Sequence, residues 1–310
     1  MSADESSSST VTDPAPIDAV PLRHPWRWVA AIVILALFGL FLYGAATNPA
    51  YGWSTYFEYL FNDRILLGVF NTLQLTVYSM LLGIVLGVVL AVMRLSPNPV
   101  FRSVSWVFLW VFRGTPIYVQ LVFWGLVPTI YSNIQLGVPF GPSLFHLNLQ
   151  SLSIPFVLAC LGLALNEAAY MAEIIRAGIL SVPEGQSEAS TALGMSWTLT
   201  MRRTVLPQAM RVIIPPTGNE VISMLKTTSL VTAVPYSYDL YSIAVREVAA
   251  RIFEPVPLLM VAATWYLVVT SILMVGQFYL ERHFSRGASR KLTTKQLDAL
   301  AKAQTEGGHV

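Results

Sequence analysis

Charge is what this chain has least of. Asp, Glu, Lys and Arg make up 12% of its 310 residues, where an ordinary soluble domain carries about 25%. That is too little to coat a water-facing surface, and it excludes a disordered chain, a coiled coil, a collagen and almost any soluble enzyme. Cysteine is equally scarce. Cys160 stands alone, so no internal disulfide forms and the redox compartment stays open. The four histidines, His24, His146, His283 and His309, are too scattered for a metal site. No Gly-x-x-x-x-Gly-Lys-Ser/Thr occurs, so nothing cradles a nucleotide phosphate and the chain does not hydrolyse ATP alone. A formal net charge of +2 is too balanced for nucleic-acid binding.

What the chain has in excess is apolar sequence, 55% of it, with a mean hydropathy of +0.59. It falls in long runs, so its solvent is lipid. A hydrocarbon core of about 30 Å needs about 20 helical residues. Six runs qualify: residues 29–46, 65–93, 104–131 (interrupted by Arg113), 152–175, 212–234 (carrying Glu220 and Lys226) and 257–280. Residues 1–28 begin acidic and are rich in Ser, Asp, Pro and Ala. They read as a disordered tail rather than a signal peptide. Residues 281–310 read as a basic, polar tail. The membrane-embedded part is therefore expected over residues 29–280.

Lys and Arg in the connections set the orientation. One set of loops holds Arg23, Arg27, Arg94, Arg102, Arg176, Arg202, Arg203 and Arg211, and the C-terminal tail on the same side adds Arg282, Arg286, Arg290, Lys291, Lys295 and Lys302. The other set holds only Arg64, Arg246 and Arg251, and residues 131–150 contain no Lys or Arg. Both termini are expected in the cytoplasm.

The segment 178–207, between the fourth and fifth runs, is too polar to span. Ser181-Val182-Pro183-Glu184 has the form of a capping box. A helix follows to about Leu193, and Gly194 suits the left-handed position that ends it. Ser196 is placed to cap a second short helix running to Leu206, with Pro207 opening the next span. Periodicity leaves two readings open, a docking platform and an interfacial amphipathic pair. In the fifth run, at 100° per residue, Asn219, Glu220, Ser223, Lys226 and Thr227 fall within about a third of the helix circumference. Ionisable groups in a span face a protein interior or a water-filled cavity. That stripe therefore reads as a solute pathway, with an internal Glu220–Lys226 pair as the plainer alternative. Pro215-Pro216 predicts irregularity near the start of this span.

Other polar groups carry structural readings. Asn166, Tyr170 and Glu173 share a face of the fourth span, and Glu173 and Arg176 are spaced as an i,i+3 pair. Asn71, Gln74 and Tyr78 share a face of the second. Gly83-x-x-x-Gly87 permits close helix packing. Arg113 sits where Gly114, Thr115 and Pro116 break helix geometry.

The loop carries a resemblance. Glu188-Ala189-Ser190, then Gly194, then Leu206-Pro207 is similar to the EAA loop of ABC-importer membrane subunits, with Ser190 replacing the second alanine. Arg113-Gly114-Thr115-Pro116, Ala172-Glu173-Ile174-Ile175-Arg176, Pro183-Glu184-Gly185-Gln186, Leu206-Pro207-Gln208-Ala209, Pro215-Pro216, Gly218-Asn219-Glu220 and Lys226 with Thr228-Ser229-Leu230 resemble the polar-amino-acid branch of that family. The likeness runs in order over about residues 67–280. Position 227, often acidic or amide in the branch, is Thr227.

The resemblance implies an all-α polytopic membrane protein with about six spans, the type I ABC-importer transmembrane fold with a five-helix core and an extra N-terminal span. It implies a permease subunit in a bacterial inner membrane that binds no cofactor itself. A separate ATPase dimer, carrying ATP and Mg, would dock on Glu188, Ala189, Ser190, Gly194, Leu206 and Pro207. The other partners implied are an extracytoplasmic solute-binding protein, a second permease subunit and membrane lipid, and no nucleic acid. Asn219, Glu220, Ser223, Lys226 and Thr227 would line the route of a polar amino acid. The rival reading is an ion-coupled secondary transporter, which accounts for Glu220 and Lys226 but not for the helix–glycine–helix loop. A membrane-embedded enzyme lacks a nucleophile–base pair or a metal cluster.

Overall fold

The computed structural model describes residues 25–131, 133–137, 143–148 and 155–284. The expected disorder of residues 1–24 and the polar tail beyond residue 284 lie outside the described residues. Residues 1–51 and 52–310 form separate units. In the first, α1 (Pro25–Thr47) leaves its large apolar side chains exposed, Leu35 and Leu40 at 67% and 68%. A helix apolar on every side with no buried face has lipid as its solvent.

The second unit opens with the short α2 (Trp53–Leu60) and the long α3 (Asp63–Leu95). Asn62 starts α3 by accepting the Arg64 N–H on its side chain, and Asn98 does the same for Val100 at the start of α4 (Pro99–Gly114). The third expected span is not one helix. α4 ends at Gly114 and α5 (Ile117–Ile130) leaves at 108° to it. Pro116 holds Thr115 in an extended conformation, φ −115° and ψ 146°, and brings no N–H to continue the ladder. The fold is all-α as expected, with one small addition. The polar 131–150 connection contains an antiparallel hairpin of β1 (Asn133–Gly137) and β2 (Ser143–Asn148), which pairs Asn133 with Asn148.

α6 (Pro155–Leu180) is the centre of the packing. It lies along α3 because Gly83 and Gly87 remove the atoms that would hold the helices apart. A Cβ on Gly83 would stand 2.8 Å from Glu167 Cγ, and one on Gly87 2.6 Å from Met171 Cβ. Leu90, Ala91, Ala168, Ala172 and Ile175 cluster there with Leu109 of α4, and Ser105 on α4 donates to the Leu90 carbonyl of α3. After α6 come α7 (Glu184–Ala192), α8 (Trp197–Thr200) and α9 (Leu206–Thr227). A 3-10 turn (Thr228–Ala233), a π-helical stretch (Ser242–Val248), α10 (Ala249–Ile252) and α11 (Pro255–Phe284) complete the described chain.

Among the described residues α1, α3, α6 and α11 are long and apolar enough to cross a membrane, and the bent α4–α5 pair makes a fifth if it is one broken span. The fifth expected span, α9, is not among them because Arg211, Glu220 and Lys226 interrupt it. It is nevertheless packed against α6, α11 and α3. α9 also runs unbroken through Pro215-Pro216, where irregularity is predicted. A packed bundle tolerates the two prolines, and Gln277 on α11 donates to the Pro215 carbonyl at 2.8 Å.

Candidate coupling loop and solute pathway

The 178–207 segment folds into a platform fastened to the foot of α9. The capping box is not formed. Ser181 Oγ donates back to the Gly178 carbonyl at 2.7 Å and so closes α6 instead of opening α7, whose N-cap is Pro183. The far end of α7 is as the sequence predicts. Gly194 has φ +78°, and Gly194 and Met195 donate N–H groups to the Thr191 and Ser190 carbonyls. Nothing lies within 4 Å of a Cβ built on Gly194, so the glycine is needed for its backbone conformation and not for space.

Beyond the glycine the sequence predicts a short helix separate from the next span. α8 instead continues through a π-helical turn, Met201–Val205, directly into α9. The platform is therefore rigidly continuous with the span that follows. Ser190, the serine that departs from the Glu-Ala-Ala pattern, is 5% exposed. It donates to the Gln186 carbonyl at 2.8 Å, and its oxygen stands 2.9 Å from Thr204 Oγ1 in the π-turn. Gln208 adds a second tie, donating to Gln186 Oε1 at 3.3 Å. Glu188, Ala189, Leu206 and Pro207 are exposed. So are Leu193 and Trp197, at 82% and 75%. Large apolar groups are thus bared on a polar connection.

On α9 the predicted division of faces holds. Ile222, Met224 and Leu225 are buried, Asn219, Ser223 and Lys226 are exposed, and Glu220 and Thr227 lie at the edge, half-buried. The predicted Glu220–Lys226 pair is absent: neither residue enters an ion pair among the described residues. Another acid, Glu167, is buried on α6, the helix that packs against α9. Six residues apart on one helix, Glu220 and Lys226 point about 120° from each other, which keeps them separate.

α6 delivers the remaining polar groups to the bend between α4 and α5. Asn166 Nδ2 donates to the Phe112 carbonyl and to Gln120 Oε1, both at 3.0 Å. Gln120 Nε2 donates to the Phe112 and Thr115 carbonyls at 2.9 and 3.0 Å. These two amides satisfy backbone groups left open where the helix breaks. The shared face Asn166, Tyr170 and Glu173 meets this break. The Arg113 guanidinium stands 5.4 Å from the Tyr170 ring centroid, and Arg176 pairs with Glu173. Asn71 bonds across to the Tyr238 carbonyl at 2.9 Å.

Glu167, Gln120 and the Gln186–Gln208 tie are absent from the sequence reading. An acid deep in an apolar run is itself a signal of function, and Glu167 carried it. The glutamines gave none, because their role is set by carbonyls that only the folded break and the folded platform expose.

Known proteins share this architecture. Residues 83–286, about two thirds of the chain, match the family described as binding-protein-dependent transport system inner membrane component. The arginine transport system permease ArgU of Corynebacterium glutamicum is 61% identical over 297 residues, covering 96% of this chain and 92% of that protein. The histidine/lysine/arginine/ornithine permease HisM of Escherichia coli is 38% identical over 210 residues, 67% of this chain and 83% of that one. Among solved structures, a chain of an amino acid ABC transporter with histidines superposes with a TM-score of 0.60 at 30% identity, over 72% of this chain and 95% of its own. The chain belongs to the family of binding-protein-dependent transport system inner membrane components and is a permease subunit of an ABC importer, a multi-pass membrane protein whose ATP hydrolysis is left to a separate subunit.

Proposed function

We propose that this permease forms the route of a cationic amino acid across the membrane and converts the motion of a partner ATPase into a change of access. It serves an amino-acid ABC importer. The observation that carries the reading is the continuity of the docking platform with α9: one helix, Trp197–Thr227 with its π-turn, bears the bared Trp197 at one end and the polar stripe Asn219, Ser223 and Lys226 at the other. A push on the platform is a push on the stripe. Glu188, Ala189, Ser190, Gly194, Leu206 and Pro207 present the docking surface, and Asn219, Glu220, Ser223, Lys226 and Thr227 line the route. The stripe is exposed in the single subunit. A second permease, identical or homologous, covers it and encloses a cavity. An extracytoplasmic binding protein delivers solute to the outer face, and ATP and Mg sit on the ATPase. Both termini and the platform face the cytoplasm.

The test is uptake of radiolabelled arginine in a strain lacking only this chain, complemented with the wild type or with Glu220→Gln. The wild type is expected to restore uptake that survives collapse of the ion gradients while ATP is maintained. Glu220→Gln is expected to insert and assemble normally but to transport poorly. Uptake that follows the ion gradient, or full transport by Glu220→Gln, overturns the reading of energy source or of route respectively.

A further inference from the structure

α6 and α9 pack together and each carries an acid, Glu167 and Glu220, that enters no ion pair among the described residues. Glu167 is 5% exposed, and its Oε1 has no hydrogen-bond partner among the described residues. Glu220 is half-buried on α9. The bases nearby are engaged or turned away. Arg113 lies over the Tyr170 ring and acts on Glu173, Arg176 pairs with Glu173, and Lys226 is on the exposed side of α9. α3 is shaped around the acid: a Cβ on Gly83 would meet both Cβ and Cγ of Glu167 within 2.9 Å. The neighbouring Asn166 and Gln120 spend their amide N–H groups on the α4–α5 break and offer none to Glu167. A buried carboxylate with an open oxygen beside a second acid is costly unless a proton or a cation answers it.

We propose that Glu167 is a specificity-determining residue of the permease, forming with Glu220 the counter-charge for the cationic head of the transported side chain. The assignment rests on the pathway reading of α9 and deepens it. It gives the permease its own preference for guanidinium or ammonium side chains, separate from whatever selection the binding protein makes. A neutral isostere leaves both acids unanswered and is disfavoured.

The experiment uses the assembled permease–ATPase complex in lipid nanodiscs without binding protein, so that the permease alone is read. Equilibrium binding of radiolabelled L-arginine is competed with L-citrulline, whose neutral ureido group replaces the guanidinium at nearly the same shape. The wild type is expected to prefer arginine by at least about tenfold. Glu167→Gln is expected to bring the ratio close to one while leaving co-purification with the ATPase unchanged. An unchanged ratio in Glu167→Gln overturns the proposal, as does a wild type that binds the two alike. A Glu167→Gln that fails to assemble, beside a Glu220→Gln that assembles and keeps the preference, overturns it too, because the acid is then structural. Failure of the wild type to take up arginine in cells strikes the proposed substrate itself and is distinct from all of these.

Discussion

Ser190 on α7 and Thr204 in the π-turn before α9 share a hydrogen bond of 2.9 Å, and it fastens α7 to the turn that leads into α9. The Ser190 proton is committed to the Gln186 carbonyl, so Thr204 donates and Ser190 accepts. Where the family pattern has a second alanine, this chain keeps the small volume and adds a link. The π-turn is what brings Thr204 round to face α7. A ladder widened by one residue redirects the side chains that follow it, as such bulges do at functional sites.

Ser190→Ala removes that link but preserves the packing. Loss of one neutral hydrogen bond is expected to cost about 1 kcal/mol, read as a modest fall in melting temperature of the purified complex, with transport retained. Ser190→Val adds volume at a buried site and is expected to weaken co-purification with the ATPase. Equal behaviour of the two variants contradicts a packed Ser190–Thr204 junction.

Gly194→Val forces a β-branched residue into φ +78°, which costs roughly 1–2 kcal/mol in backbone strain. Open space surrounds the position, so the damage is confined to the bend between α7 and α8. The variant is expected to insert and fold yet lose stimulation of ATP hydrolysis by solute. Gly194→Asn, which tolerates the left-handed region better, is expected to recover much of it. If valine and asparagine are equally active, the bend does not carry coupling.

Gly87→Leu tests the α3–α6 contact. Even a Cβ there stands 2.6 Å from Met171 Cβ, whereas Gly39 on α1 has nothing within 4 Å. Overpacking costs typically about 1–3 kcal/mol, so assembled yield should drop for Gly87→Leu and stay level for Gly39→Leu. Matching yields refute the close approach of the two helices.

Topology follows from the Lys/Arg asymmetry. With Cys160→Ala as background, a single cysteine at Ser187 should resist an impermeant thiol reagent on intact cells, and one at Ser143 should react. The opposite pattern reverses the membrane orientation and moves the docking platform outside.

How much of this was legible in the sequence differs by kind of signal. The glycine-ended α7, the close-packing Gly83 and Gly87, the Glu173–Arg176 pair and the two faces of α9 were all readable, because each depends on spacing along one helix or on the character of one residue. The Ser181 cap failed because its hydroxyl had two carbonyl or amide partners within reach, and the end of α6 won. The bend at Gly114–Pro116 was visible as a break but not as 108°, since the angle is fixed by what Gln120 and Asn166 bond. Lys226 was matched with Glu220 by proximity in sequence, but the two form no ion pair. Pro215-Pro216 predicted irregularity, yet α9 stays helical there, with Gln277 of α11 bonded to the Pro215 carbonyl.

That last contact sets up the sharpest stability test. Gly218 lies so close to α11 that a Cβ on it would fall 1.8 Å from Gln277 Oε1. Gln277 in turn donates to the Pro215 carbonyl at 2.8 Å and to Glu281 Oε1 at 2.7 Å. Gly218→Ala should therefore expel the Gln277 carboxamide and strip both hydrogen bonds at once, at a cost of about 1–3 kcal/mol. Gln277→Ala alone loses the same bonds but makes room. If the glycine exists to admit Gln277, the two substitutions share one cause: Gly218→Ala in a Gln277→Ala background should add little further loss in melting temperature, and the double-mutant cycle should show strong coupling. Additive losses mean that Gly218 serves some other need of α9, and that the Pro215-Pro216 turn is held without Gln277.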